Sequence, residues 1–239
     1  MHRSSYKNAL CRLQAGLARP SPSTKSLGCT WRPYPSKYLY FDGVDDRVDL
    51  PNTGVIFGAS QDITVELWLD PYSATDWQRI FCQAPVSSDD LTIAFVNDGV
   101  IALGNGGTNR GIGAKHSTTD WFHLAVTREG SVYHIFKNGL LTTSDSTNTA
   151  GVGDRNTLGC RYRSSLSSYA NFYNGKMWNF RIWSRALSQA EIAVWMNMDP
   201  KPNRSDLLMW LPMDEGSGTS LSDVTGNGWN GSITGCTWV

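Results

Sequence analysis

The stretch TDWFHLAVTREGSVYHIFKNG, residues 119–139, decides the fold. Phe122, Leu124 and Val126 alternate with Trp121, His123, Ala125 and Thr127. That period of two sends one face of a strand into a core and the other outward. SVYHIFKNGLL then reads as a hairpin, because Asn138–Gly139 accepts the positive φ of a two-residue turn.

The same pattern extends on both sides. Upstream, Ile63, Val65, Leu67 and Leu69 alternate with Thr64, Glu66, Trp68 and Asp70, and YLYF, RVDL, RIFCQ, LTIAFV and VIAL supply further short strands. Downstream, KMWNFRIW predicts a strand with Trp178, Phe180 and Ile182 on one side. One helix is predicted in LSQAEIAVWMN, where Ser188 and Glu191 form a capping box and Ile192, Trp195 and Met196 share a face. Many short strands with one short helix predict an all-β fold, a two-sheet antiparallel sandwich.

Composition agrees. The chain has 239 residues, 40% apolar and only 18% charged, with 23 glycines to supply turns. Its five cysteines are widely spaced and include no CxxC, so neither a disulfide framework nor a structural zinc site is expected.

The zero net charge hides an asymmetry. Seven basic residues and no acidic one precede Phe41, leaving 21 − 7 = 14 basic against 21 acidic residues in the remainder. Residues 1–36 therefore read as a basic extended arm, with a short amphipathic helix possible over Tyr6–Leu17, and residues 37–239 as the sandwich. Neither a secretory signal nor a membrane-spanning run is visible, so cytoplasmic synthesis is expected; an Arg- and Ser-rich start also fits a mitochondrial presequence. The acidic body disfavours nucleic acid as a partner.

Three blocks carry a family resemblance: YLYFDGVDDRVDL with ITVELWLDP, TDWFHLAVTREGSVYHIFKNG, and YNGKMWNFRIWSRALSQAEI. In that order they resemble the laminin-G-like, concanavalin-A-like lectin–glucanase modules. The resemblance implies a jelly roll. It also implies a location for the tail LMWLPMDEGSGTSLSDVTGNGWNGSITGCTWV, which looks like the element that often opens such modules. GCTW occurs at Gly28–Trp31 and again at Gly235–Trp238, so residues 206–239 are expected either to complete the sandwich or to contact a neighbour.

The resemblance raises three chemistries. Sandwich glucanases carry E-x-D-x-x-E on one strand; Glu66 and Asp70 are out of phase with it and Trp68 stands between them, so no enzyme is expected. A structural Ca²⁺ is a candidate at Asp42, Asp45 and Asp46, with Asp214, Glu215, Asp223 and Asn227 of similar type in the tail. Glycan recognition needs aromatic platforms beside amides and carboxylates, and the long loop RYRSSLSSYANFYN offers Tyr162, Tyr169, Asn171 and Tyr173, with Trp77 and Trp121 as a rim.

The expected function is a non-catalytic structural or adhesive module on a larger assembly. Compact modules of this kind resemble accessory proteins of bacteriophage heads or tails, which would place the chain on a virion surface with copies of itself, a capsid or tail, and cell-surface glycans as partners. The alternative is a free-standing lectin-like carbohydrate-binding protein.

Overall fold

In a computed structural model, residues 35–51, 61–73, 77–85, 91–96, 99–105, 108–115, 120–146, 153–163 and 166–239 are described. The first sheet contains β1 (Leu39–Asp42), β3 (Ile63–Pro71), β8 (Phe122–Glu129), β9 (Val132–Lys137), β10 (Leu140–Asp145), β14 (Asn174–Trp183), β15 (Leu207–Leu211) and β18 (Thr237–Trp238). Its order is β10-β9-β8-β3-β14-β1-β18, with β15 also on β14. The second contains β2 (Arg47–Leu50), β4 (Arg79–Pro85), β5 (Leu91–Val96), β6 (Val100–Asn105), β7 (Thr108–Lys115), β11 (Gly153–Leu158), β16 (Ser220–Leu221) and β17 (Gly231–Thr234). Its order is β16-β17-β2-β11-β4-β5-β6-β7. A two-stranded ribbon, β12 (Arg161–Arg163) and β13 (Ser168–Ala170), stands apart from both.

Among the described residues the strand pairs are antiparallel, and the sheets meet face to face over one core, as expected for a jelly-roll sandwich. Ile63, Val65, Leu67 and Leu69 pack inward with Phe122, Leu124 and Val126, the apolar sets that the alternation selects. Asn138 and Gly139 have φ of 51° and 75° between β9 and β10, the backbone an Asn-Gly hairpin requires.

β14 departs from simple alternation. Asn179 has φ 58°, and the register against β3 shifts between Trp178 and Arg181. The bulge moves Trp178 out of phase with Phe180 and Ile182, setting it opposite Trp68 instead of on their side. It also divides one edge of β14, so that β1 pairs before the bulge and β15 after it. Asn179 holds this junction, its Oδ1 accepting from Trp210 Nε1 at 2.7 Å.

Helix α1 (Gln189–Trp195) opens with the predicted capping box: Ser188 Oγ accepts from Glu191 N while Glu191 accepts from Ser188 N. The helix lies on the outer side of the first sheet. Ile192 and Leu187 pack there against Phe136, Trp183, Leu207 and Trp210 in a second, smaller apolar cluster. The helix end is finished by the sheet, since Arg181 Nη1 donates to Trp195 O at 2.7 Å.

The tail folds back onto its own chain. β17 pairs with β2, and Thr237 and Trp238 pair with Tyr40 and Leu39. The C-terminal GCTW is therefore an edge strand in use within the chain. Residues 1–34, including the other GCTW, the Tyr6–Leu17 segment and most of the arm, lie outside the described residues.

Candidate functional site

The outer face of the second sheet is polar where β17, β2 and β11 run side by side. Register puts Ser232 and Thr157 on either side of Asp49, and Thr234 beside Arg47. Arg155 stands two residues before Thr157 on β11, on the same face by strand alternation. Arg47 Nε donates to Asp49 Oδ2 at 3.0 Å.

The β12–β13 ribbon leans against this shelf. Tyr162 and Tyr169 are a directly opposed cross-strand pair, with ring centroids 5.2 Å apart and edge to face. Tyr169 donates its hydroxyl hydrogen to Asp49 Oδ1 at 3.0 Å and accepts from Arg155 Nη1 at 3.3 Å. The two guanidiniums lie over the two rings, Arg47 4.0 Å from the Tyr169 centroid and Arg155 4.1 Å from that of Tyr162. Burial and the Asp49 carboxylate both push the Tyr169 hydroxyl up in pKa, so it stays a donor. The result is an aromatic pair, a carboxylate and two cations converging on a half-exposed surface.

The other aromatic candidates go elsewhere. Tyr173 is fully buried, its ring against Phe41 and Phe95 and its hydroxyl donating to Lys176 O. It is a core residue and not a ligand platform, because a loop that closes over a sandwich end must bury part of itself. Trp121 directly precedes β8 of the other sheet, edge to face with Tyr38, near the Lys176–Asp70 ion pair. Asn171 directly follows β13, and its carbonyl accepts from Arg79 N; Trp77, 41% exposed, has its ring 5.5 Å from the Arg79 guanidinium. Those two residues thus share Arg79 as a neighbour.

Arg47, Asp49, Arg155 and Ser232 are the contributors that the sequence alone did not single out. The alternation in RVDL sends Arg47 and Asp49 outward, but nothing local says that β2 is flanked by β11 and β17.

Glu66 is wholly inaccessible. Its Oε1 accepts from Arg181 Nη1 at 3.3 Å and Trp183 Nε1 at 3.0 Å, and its Oε2 lies 3.3 Å from His123 Nε2. Burial alone would push the Glu66 carboxyl up; His123, Arg181 and Trp183 together hold it below the usual range. Asp70 is paired with Lys176 Nζ at 2.9 Å. Both carboxylates of the strand are committed to the sandwich's own ion pairs.

Asp42, Asp45 and Asp46 each bring a carboxylate oxygen within 4.8 Å of the others. Their type and spacing fit a hard cation, which these three would hold and whose charge would relieve their repulsion. Two also serve the turn itself: Asp46 Oδ2 accepts from Asp42 N and Asp42 Oδ1 from Val44 N. The tail residues are used differently. Asp223 accepts from the backbone of Trp210, Thr225 and Trp229, Glu215 from Ser222 N, and Asn227 donates to Leu208 O, pinning the tail onto β15.

Among the described residues no helix is long and apolar enough to cross a membrane. No curated protein sequence matches the chain. Solved structures share its fold. A Bacteroides ovatus protein provisionally described as carbohydrate binding aligns with TM-score 0.63 at 18% identity, over 86% of this chain and 60% of that one. The chain thus spans less than two thirds of that relative's length. A heptameric SAP-like pentraxin from Limulus polyphemus aligns with TM-score 0.54 at 13% identity, over 66% of this chain and 81% of that one. Domain 4 of an extracellular arabinanase from Geobacillus stearothermophilus, solved with arabinotriose, aligns with TM-score 0.53 at 20% identity, over 70% of this chain and 80% of that one. A family profile matches residues 42–193, which run from the end of β1 into α1, and the chain belongs to the concanavalin A-like lectin/glucanases superfamily.

Proposed function

We propose that the chain is a carbohydrate-binding module whose site is the polar shelf of β2, β11 and β17 beneath the Tyr162–Tyr169 ribbon. The observation that carries this reading is the convergence of an opposed tyrosine pair, Asp49, Arg47 and Arg155 on one half-exposed surface. Tyrosine faces and edges take the C–H surface of a sugar ring, while a carboxylate and guanidiniums pair with its hydroxyls. Two fold neighbours support the reading in kind, the Bacteroides protein described as carbohydrate binding and the arabinanase domain solved with arabinotriose.

A role as a virion accessory draws on the basic arm and on a C-terminal strand free for exchange. The arm is almost wholly outside the described residues, and β18 is paired with β1. The lectin-like reading is therefore preferred.

A glycan array tests it. The wild-type chain is expected to retain at least one saccharide, and Tyr169→Ala to lose it while keeping the wild-type circular dichroism spectrum. A chain that retains no saccharide, or a Tyr169→Ala variant that binds as wild type, overturns the assignment.

A further inference from the structure

Five cations of the described body pair with carboxylates. Lys176 pairs with Asp70, Arg181 with Glu66 and Asp199, Arg185 with Glu191 and Asp206, Arg204 with Asp206, and Arg47 with Asp49. Arg155 is different. It is exposed, and its partners are the face of Tyr162 and the hydroxyl oxygen of Tyr169; among the described residues no carboxylate pairs with it. Asp49, the nearest acid in the network, already accepts from both Arg47 and Tyr169.

This arrangement has a specific chemical consequence. Stacking on Tyr162 and the tether to Tyr169 hold the guanidinium in one orientation, so little side-chain freedom remains to be lost when an anion arrives. A planar guanidinium carries five N–H donors, and a single bond to Tyr169 uses one of them. Such a group is suited to an oxyanion held by two parallel hydrogen bonds. Beside it the shelf offers the exposed hydroxyl of Ser232 and the tyrosine pair, the equipment for a sugar ring.

We infer that the ligand of this site is an anionic saccharide, whose carboxylate or sulfate ester pairs with Arg155 while its ring lies against the tyrosine pair. The inference rests on the carbohydrate-binding reading above and narrows it from sugars in general to acidic ones.

Isothermal titration of the full chain with three probes tests it: an oligogalacturonate, its fully methyl-esterified form, and a heparin-derived oligosaccharide. Ester and acid share the same ring, so their ratio isolates the anion, and the heparin arm separates sulfate from carboxylate. At least one anionic probe is expected to bind about tenfold or more tighter than the ester in low salt. That advantage should shrink as sodium chloride rises. Arg155→Gln should remove the advantage, and Arg155→Lys should restore part of it, with thermal melts confirming that both variants fold. If the ester binds as tightly as the anionic probes and Arg155→Gln leaves their ratio unchanged, the site takes neutral sugars: the inference fails and the carbohydrate-binding reading stands. If none of the three probes binds and the glycan array is also blank, both fail together.

Discussion

Gly235 lies directly against the carboxylate of Asp46, so close that any Cβ at that position would overlap Oδ1. The contact joins the C-terminal GCTW to the turn between β1 and β2, and the neighbouring Cys236 Sγ reaches Arg47 O at 3.5 Å. Gly235 also has φ 80°, which a side chain resists. The glycine of the repeated tetrapeptide is therefore required by geometry twice over.

Gly235→Ala is expected to destabilise the fold by about 1–3 kcal/mol, combining backbone strain with displacement of Asp46. Gly226→Ala is the control, since its φ is 90° but nothing lies within 4 Å of its Cβ. Urea unfolding should show the larger drop in midpoint for Gly235→Ala. Equal drops would mean that the Asp46 contact is irrelevant.

The buried network under α1 leads to a second prediction. Glu66 and Arg181 are both about 1% exposed, and Glu66 also accepts from Trp183. Glu66→Ala removes the anion and leaves Arg181 with only part of its compensation, for an expected loss of about 3–5 kcal/mol. Replacing Glu66 and Arg181 together by apolar residues should cost less than the single change. A double-mutant cycle in denaturant measures this, and additive losses would refute the coupling.

Much of this architecture was legible in the sequence. Residues 63–69 and 122–126 alternate cleanly because both strands are central and pack one face on the same core. Ser188 and Glu191 mark the helix because capping is a local interaction. The bulge at Asn179 was not legible, since only contact with β15 and Trp210 makes a positive φ worthwhile there. The site divides in the same way. Tyr162 and Tyr169 are opposed within one ribbon, whereas Asp49 reaches them from a strand more than a hundred residues away, and no local pattern encodes that.

Acid should weaken the attachment of α1. Hydrogen bonds from Arg185 hold the Glu191 carboxyl down to about 2, and those from Arg204 and then Arg185 hold Asp206 down to about 2. Folded-state values below the unfolded ones, 4.5 and 3.8, mean that this stabilisation is complete above pH about 4.5 and is lost as the pH falls toward 2. The side chains are a fifth to two fifths exposed, so solvent screening makes the contribution modest. Arg185→Gln is expected to flatten the decline of the urea midpoint between pH 4.5 and 2. An unchanged decline would show that Arg185 contributes nothing to it.

The thiols give a further test. Burial pushes Cys160 up to about 12 and raises Cys236 further, and both are free. Native protein at pH 8 should leave these two unlabelled by a maleimide, while guanidinium chloride exposes them. Peptide mapping identifies the sites, and rapid native labelling of Cys160 would contradict its packing.

Tyr169 of β13 and Tyr173 beyond it lie four residues apart and should fail in opposite ways. Tyr173 is fully buried between Phe41 and Phe95, so Tyr173→Ala opens a cavity and is expected to cost about 3–5 kcal/mol. Tyr169 is half-buried and tied to Asp49 and Arg155 at the surface, so Tyr169→Ala should cost about 1 kcal/mol or less. Saccharide affinity should invert that order once each variant is assayed where it remains folded: lost in Tyr169→Ala, and retained in Tyr173→Phe, which keeps the core ring. A double replacement of both tyrosines would confound unfolding with loss of the site. Single variants, each with a melting curve beside its titration, separate the two, and loss of affinity in Tyr173→Phe with full affinity in Tyr169→Ala would move the site away from the shelf.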